Sequence, residues 1–154
     1  MMTLCCDVLK VLKGKTLVTA ESLTGGGIGA ALTAVSGSSE VYKGGIISYT
    51  DWVKENLLQV PGEILKRYGA VSPWTAGFMA SGVRKALNAD VAVSVTGLAG
   101  PGGDAYGNPV GTVFIGYEDQ KCAVVKEFCF LGSREDVRNQ TIEAALKLIL
   151  EKNT

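Results

Sequence analysis

The sequence predicts an α/β fold, a three-layer α/β/α sandwich in which a mixed parallel and antiparallel central sheet is covered by helices on both faces. Helical and strand-like segments alternate over the first two thirds of the chain, which is typical of parallel strands joined by helices. Two strand-like segments then follow one another near the end, which adds an antiparallel pair. The chain has 154 residues and shows no repeat or linker, so residues 1–154 are expected to form a single domain.

The first part of the chain predicts helix, strand, helix and strand in turn. Apolar residues recur at helical spacing over residues 4–12, and residues 16–20 (TLVTA) form a short apolar strand. Residues 24–35 combine a glycine-rich first turn with an apolar stripe, which predicts a helix. Residues 40–49 are β-prone, and their Gly44-Gly45 pair indicates a bulge or a close backbone approach.

The middle of the chain predicts two short helices and one longer one. Residues 51–58 return to helical spacing, and a further short helix is expected after Pro61. Ser72 as N-cap and Pro73 at the first helical position begin a helix that should end near residue 87 or 88. Residues 90–96 (DVAVSVT) then predict a core strand.

The last part of the chain predicts a loop, a hairpin and a helix. Residues 97–109 are rich in glycine and proline and form a loop. Residues 110–117 and 122–130 are expected to pair as a hairpin that turns at residues 118–121. The final helix starts at Ser133, where Asp136 three residues later resembles a capping box.

The most informative feature of the composition is the absence of histidine. Histidine is the usual general base near neutral pH and the usual zinc ligand. Acid-base chemistry must therefore use Lys, Tyr, Asp or Glu, and neither a metal site nor a cofactor is expected. The 15 Lys and Arg residues balance the 15 Asp and Glu residues, which argues against an overall positive field that would attract nucleic acid or an anionic membrane.

Targeting signals and disulfide bonds are not expected either. The apolar stretches are shorter than the ~20 residues that span a bilayer. Cys5, Cys6 and Asp7 interrupt the N-terminus, which lacks the order of a signal peptide, so the chain is predicted to be cytoplasmic. Because Cys5 and Cys6 are adjacent and Cys122 and Cys129 lie seven apart in a strand-like segment, the four cysteines are expected to be free, buried thiols.

Ser22 is the first candidate for chemistry, because it lies where a strand ends and a glycine-rich helix begins. Such a turn can expose a nucleophile and place N–H groups near an oxyanion. A serine needs a base, and in a chain without histidine a lysine with a pKa lowered by burial is the expected activator; Lys43 and Lys54 are the candidates. The alternative is that Ser22 or Thr24 only caps the helix and that Lys54 is a solvated side chain.

Three further segments are candidates for ligand contact. Tyr49 lies at the carboxyl end of a strand, although tyrosines there usually supply packing. Residues 96–103 (TGLAGPGG) follow a core strand, and their glycines let backbone N–H groups approach a ligand; a flexible connector is the alternative. Arg134 and Arg138 share one face at a helix start, which suits a phosphate, although two solvated arginines are commoner.

Taken together, four motifs carry a family resemblance that each alone does not. They are TAESLTGG at residues 19–26, YKGGIISY at 42–49, GAVS at 69–72 and VTGLAGP at 95–101, and PVGTV at 109–113 extends the match. In this order, over nearly the whole chain, they strongly resemble the C-terminal domain of the competence/damage-inducible protein CinA. The sequence departs from the family at Leu23, where many relatives have cysteine, and in a longer loop at residues 102–108.

The family includes stand-alone nicotinamide mononucleotide deamidases. The resemblance therefore implies an amidohydrolase that converts nicotinamide mononucleotide to nicotinate mononucleotide and ammonia in pyridine-nucleotide salvage. It implies that Ser22 is the nucleophile and Lys54 its base, with Tyr49 and Thr96 as further active-site residues. A homodimer is also implied, and Trp52, Trp74 and Phe78 are the side chains that either mark an interface or complete the core.

The ligand-binding residues expected for this function come from three places in the chain. The resemblance implies the turn after the nucleophile, the glycine-rich loop is expected to approach the ligand through its backbone, and the two arginines are expected to hold the phosphate. These residues are Thr24, Gly25, Gly26, Gly97, Ala99, Gly100, Arg134 and Arg138. Two other functions stay open: a non-catalytic nucleotide- or partner-binding domain, and an amidohydrolase for another small amide.

Overall fold

The structure, a computed structural model, describes residues 1–154 and confirms the predicted α/β fold. Six helices and five strands follow one another, with one short 3-10 turn at Ser38–Glu40. In chain order they are α1 (Met2–Val11), β1 (Leu17–Glu21), α2 (Gly27–Thr33), β2 (Tyr42–Ile47), α3 (Asp51–Asn56), α4 (Gly62–Tyr68), α5 (Pro73–Ala86), β3 (Val91–Gly97), β4 (Thr112–Glu118), β5 (Ala123–Cys129) and α6 (Arg134–Lys152).

The five strands form one open sheet in the order β2-β1-β3-β4-β5. Strand β1 pairs in parallel with both β2 and β3, whereas β3–β4 and β4–β5 are antiparallel. The mixed sheet follows from the chain order, because helices connect the first three strands while a loop and a tight turn connect the last three. The carboxyl ends of β1, β2 and β3 consequently meet at one edge of the sheet.

Helices cover both faces of the sheet, as predicted. Alternate residues of a strand point to opposite faces, so Val91, Val93 and Val95 of β3 pack in the larger core with α1, α2 and α6. Ala92 points the other way and packs with Val18 in the second core, beneath α4 and α5. No helix combines the length and the apolar character needed to cross a membrane.

Capping residues set the helix starts where the sequence predicts them. The Ser72 hydroxyl accepts a hydrogen bond from the Thr75 N–H at the start of α5, and Ser133 and Asp136 form a complete capping box on α6. The predicted helix from residue 24 is wrong at its start, because α2 begins at Gly27. Gly25 and Gly26 have φ angles of +59° and +98°, which end the preceding turn in a non-helical conformation.

Gly44-Gly45 predicts a bulge or a close backbone approach, and β2 has a bulge directly before Gly44. Leu17 lies opposite Tyr42, and Val18 lies opposite Gly44, so Lys43 is one extra residue in β2. From Gly44 onward β2 pairs regularly with β1 as far as Ile47.

The cysteines and the exposed aromatic residues require one correction. All four cysteines are free, but only Cys5 is buried. The expectation of a buried thiol is wrong for Cys129, which is exposed at the carboxyl end of the edge strand β5. Trp52, Trp74 and Phe78 are exposed, and the homodimer stays a prediction.

Candidate active site

A cavity of about 510 Å³ opens at the carboxyl ends of β1, β2 and β3. The chain leaves β1 toward β2 on one side and returns to β3 on the other, so the strand order reverses at β1. Open α/β sheets bind ligands in the crevice at such a switch point. Of the residues expected to contact a ligand or take part in chemistry, the cavity is lined by Ser22, Tyr49, Lys54, Thr96, Gly97, Ala99, Gly100 and Arg134.

Ser22 and Lys54 are in contact inside this cavity. Ser22 is the first residue after β1, and its N–H donates to the Val95 carbonyl at 3.1 Å. The Lys54 Nζ lies 3.1 Å from the Ser22 Oγ and donates to the Ser48 carbonyl at 2.7 Å. Lys43, the other candidate base, is exposed and donates to the Asn88 carbonyl, so the structure brings only Lys54 to the serine.

The start of α3 explains how a helical lysine reaches the end of a neighbouring strand. The Thr50 hydroxyl caps this helix by accepting from the Val53 N–H at 3.4 Å. Lys54 lies one turn later, and its N–H donates to the Thr50 carbonyl. Side chains on a helix tilt toward its N-terminus, so the Lys54 side chain points back to the end of β2.

Burial changes the acid-base behaviour of Lys54. The side chain is only 1% exposed, and this desolvation lowers the pKa of Lys54 from 10.5 to about 8, although nearby Asp51 acts in the opposite direction. No carboxylate forms an ion pair with Nζ. A neutral amine that donates one N–H to the Ser48 carbonyl keeps its lone pair for the Ser22 hydroxyl proton, which is the arrangement a general base requires.

Glu21 is a buried carboxylate beside the site that the sequence does not single out. It is 2% exposed and lies directly before Ser22. One carboxylate oxygen accepts from the Thr24 hydroxyl and the Ile28 N–H at 2.7 and 2.8 Å, and the other accepts from the Gly29 N–H and the Thr19 hydroxyl, both at 3.1 Å. Glu21 therefore connects the turn after Ser22 to the first turn of α2. A carboxylate directly after an apolar strand is the sequence signal that could have found it.

Four of the expected ligand-binding residues lie in or against the turn after Ser22 and do not line the cavity. Arg138 donates from Nε to the Leu23 carbonyl at 2.9 Å and from Nη2 to the Thr24 carbonyl at 3.2 Å. The Thr24 hydroxyl is directed to Glu21, and the Gly25 N–H donates to the Ser22 carbonyl. Thr24, Gly25, Gly26 and Arg138 are therefore absent from the cavity lining, and the Arg138 side chain and the Thr24 hydroxyl stabilise the turn instead.

The remaining side chains line the cavity and are linked to its walls by hydrogen bonds. Arg134 donates to the Tyr49 hydroxyl at 3.2 Å and to the Gly100 carbonyl at 2.7 Å. Tyr49 forms no hydrogen bond with Lys54, and the Ser48 carbonyl holds the amine instead. The Thr96 hydroxyl donates to the Ala70 carbonyl at 2.7 Å, so its proton is engaged and it fixes the neighbouring loop.

The chain contains no group of three or more His, Cys, Asp or Glu side chains arranged to hold a metal ion.

Comparison with known proteins identifies the family to which this site belongs. The model of the CinA C-terminal domain matches residues 3–153. The chain belongs to the CinA C-terminal domain family. A CinA-like protein of Rippkaea orientalis is 45% identical over 143 residues, which cover 91% of this chain and 34% of that protein. The chain thus spans about a third of the length of the curated relatives it matches, or less.

Solved structures of CinA superfamily proteins share the fold over nearly their whole length. The competence/damage inducible protein CihA of Agrobacterium tumefaciens superposes with a TM-score of 0.96 at 36% identity, covering 99% of this chain and 95% of that one. The competence damage-inducible protein A of Klebsiella pneumoniae gives a TM-score of 0.95 at 36% identity, covering 98% and 95%.

Proposed function

We propose that this CinA C-terminal domain hydrolyses nicotinamide mononucleotide to nicotinate mononucleotide and ammonia, with Ser22 as nucleophile and Lys54 as general base. The observation that carries the proposal is the 3.1 Å contact between a cavity-lining serine and a buried lysine whose pKa is about 8. Such a pair is suited to acyl transfer without histidine. The choice of substrate rests on the resemblance to the family's deamidases.

In the first step the Ser22 oxygen attacks the carboxamide carbon while neutral Lys54 takes the hydroxyl proton. The tetrahedral intermediate collapses as the Lys54 ammonium returns this proton to the nitrogen, and ammonia leaves. Water then attacks the acyl-enzyme with Lys54 again as the base, and the nicotinate product is released with Ser22 restored. The Ser48 carbonyl holds the amine through both steps, because its hydrogen bond does not use the lone pair.

The backbone N–H of Leu23 is the best candidate to donate a hydrogen bond to the oxyanion. This residue lines the cavity directly beside the nucleophile, and its N–H donates no hydrogen bond within the chain. The N–H of Gly25, by contrast, is already bonded to the Ser22 carbonyl. A fixed backbone N–H beside a serine nucleophile is a typical oxyanion donor.

Arg134 is the residue proposed to hold the substrate's phosphate, because it lines the cavity while Arg138 does not. We expect Arg134→Ala to raise KM for nicotinamide mononucleotide by about tenfold or more with a smaller effect on kcat, since a charge-assisted contact far from the reacting bond contributes mainly to binding. Arg138→Ala is the matched control and should lower kcat or stability instead. A larger loss in kcat than in binding for Arg134→Ala would discard the assignment.

The experiment that tests the function is an ammonia-release assay with nicotinamide mononucleotide, free nicotinamide and glutamine as substrates. We expect release from the mononucleotide, and none from it with Ser22→Ala. Release only from another amide would leave the Ser22–Lys54 chemistry in place and replace the substrate. A rise in melting temperature with the mononucleotide but no ammonia would instead indicate a nucleotide-binding domain.

A further inference from the structure

The wall of the cavity that faces α4 is formed by Tyr106, a residue in the glycine- and proline-rich loop between β3 and β4. Tyr106 is 49% exposed. The other aromatic side chain of the cavity, Tyr49, has its hydroxyl bonded to Arg134, the proposed phosphate ligand. Tyr106 therefore offers an aromatic surface in this cavity that is not tied to that arginine.

The position of the Tyr106 ring is fixed from two sides. Its hydroxyl donates to the Lys66 carbonyl at 2.8 Å and contacts the Leu65 carbonyl at 3.3 Å, both on α4. The ring lies against Gly69, where a β-carbon would come within 2.7 Å of it. Gly69 also has a φ angle of +80°, a conformation that favours glycine. This contact accounts for a glycine at the position.

The loop that carries Tyr106 is itself ordered by one aspartate. The Asp104 carboxylate accepts hydrogen bonds from the N–H groups of Tyr106 and Asn108 and from the Asn108 side chain. The Asn108 amide in turn donates to the Val71 carbonyl at 3.1 Å. Partial burial acts to raise the pKa of Asp104, but these hydrogen bonds together outweigh it and hold the pKa below its usual value. Asp104 and Tyr106 both line the cavity.

We propose that Tyr106 is a specificity-determining residue whose ring face receives the pyridinium ring of the substrate. This inference rests on the proposed function. A pyridinium is planar and positively charged, and a cation is attracted to the face of an aromatic ring. The Asp104 carboxylate adds a favourable charge on the same wall. The wall thus selects an aromatic, cationic amide over an aliphatic or neutral one.

The test compares two ligands that differ only by the ring, nicotinamide mononucleotide and ribose 5-phosphate, by calorimetry on protein carrying Ser22→Ala so that no turnover occurs. We expect Tyr106→Leu to weaken binding of the mononucleotide by about tenfold and of ribose 5-phosphate by less than about twofold. Tyr106→Phe keeps the ring and should weaken the mononucleotide by less than about threefold. Tyr68→Leu removes an aromatic ring that stacks on Trp74 outside the cavity, and it should change neither affinity.

If Tyr106→Leu weakened the binding of both ligands equally, the inference would be overturned. This result would mean that the substitution disturbs the loop and does not remove a contact with the pyridinium ring. No change in either affinity, or no binding of the mononucleotide before Tyr106 is changed, would overturn it as well. Failure of the proposed function is a separate result: the protein with Ser22 intact would release no ammonia although the mononucleotide binds and Tyr106 discriminates.

Discussion

Replacing Lys54 by Arg is expected to lower kcat/KM for nicotinamide mononucleotide by at least about 10³-fold. Arginine retains the charge and the hydrogen-bond donors, but it does not lose its proton at accessible pH and cannot take the proton of Ser22. General-base catalysis contributes about 10²–10⁴-fold, and the larger side chain also displaces the contact of 3.1 Å with the serine. The measurement is steady-state ammonia release by the purified variant.

The pH dependence provides the control for this prediction. Because the neutral amine is the active form and the pKa of Lys54 is about 8, only roughly one molecule in ten is active at pH 7. We expect kcat/KM to rise nearly tenfold per pH unit below this pKa and to level off above it. The residual activity of Lys54→Arg should lack this inflection, and an inflection that persists in the variant would show that another group is the base.

The largest effect on stability is expected for Lys54→Met, when the free energy of unfolding of this variant is compared with that of the wild type as a function of pH. The folded pKa of about 8 lies below the ordinary value of 10.5, so between these values the unfolded chain binds more protons and the free energy of unfolding rises with pH. Below pH 8 the cost of burying the ammonium is present in full. The difference in stability between wild type and variant should therefore shift in favour of the wild type by roughly 2–3 kcal/mol between pH 7 and pH 10.

Urea unfolding of both proteins at several pH values checks this, and Lys13→Met, at an exposed position, is the control for loss of one lysine. Other titrating groups are common to wild type and variant and cancel in the difference. A difference that stays constant across this pH range would mean that Lys54 is not held in an environment that disfavours its charge.

The fold could be predicted from the sequence wherever local chemistry determines it. Ser72-Pro73 and the Ser133–Asp136 pair predict helix starts through caps that the structure contains. The start of α2 could not be predicted in this way, because Gly25 and Gly26 fit a helical pattern equally well until their positive φ angles are known. Exposure of Cys129 likewise depends on β5 being an edge strand, which is a property of the whole sheet.

The residues of the site likewise include some that local sequence indicates and others that only the tertiary structure assigns. A serine at a strand-to-helix turn, in a chain that contains no histidine, makes Ser22 and a lysine partner candidates from the pattern alone, with helix capping as the alternative. That Lys54 and not Lys43 reaches the serine follows from the parallel pairing of β1 and β2, because Lys43 lies near the amino end of β2 and Lys54 follows its carboxyl end. The pattern alone does not determine this pairing. Arg138 and Arg134 share a helix and look equivalent in sequence, yet only tertiary contacts assign one to the turn and the other to the cavity.

The bulge at Lys43 separates the part of β2 that faces the start of β1 from the part that carries the site. Beyond it, pairing continues without interruption to Ile47, and the Ser48 N–H then donates to the Glu21 carbonyl at 2.8 Å. A residue gained or lost before Gly44 can be absorbed by resizing the bulge. One gained or lost between Gly44 and Ser48 would turn the following side chains to the opposite face and carry Lys54 away from Ser22. Insertions and deletions among related chains should therefore be tolerated before Gly44 and should be absent between Gly44 and Ser48.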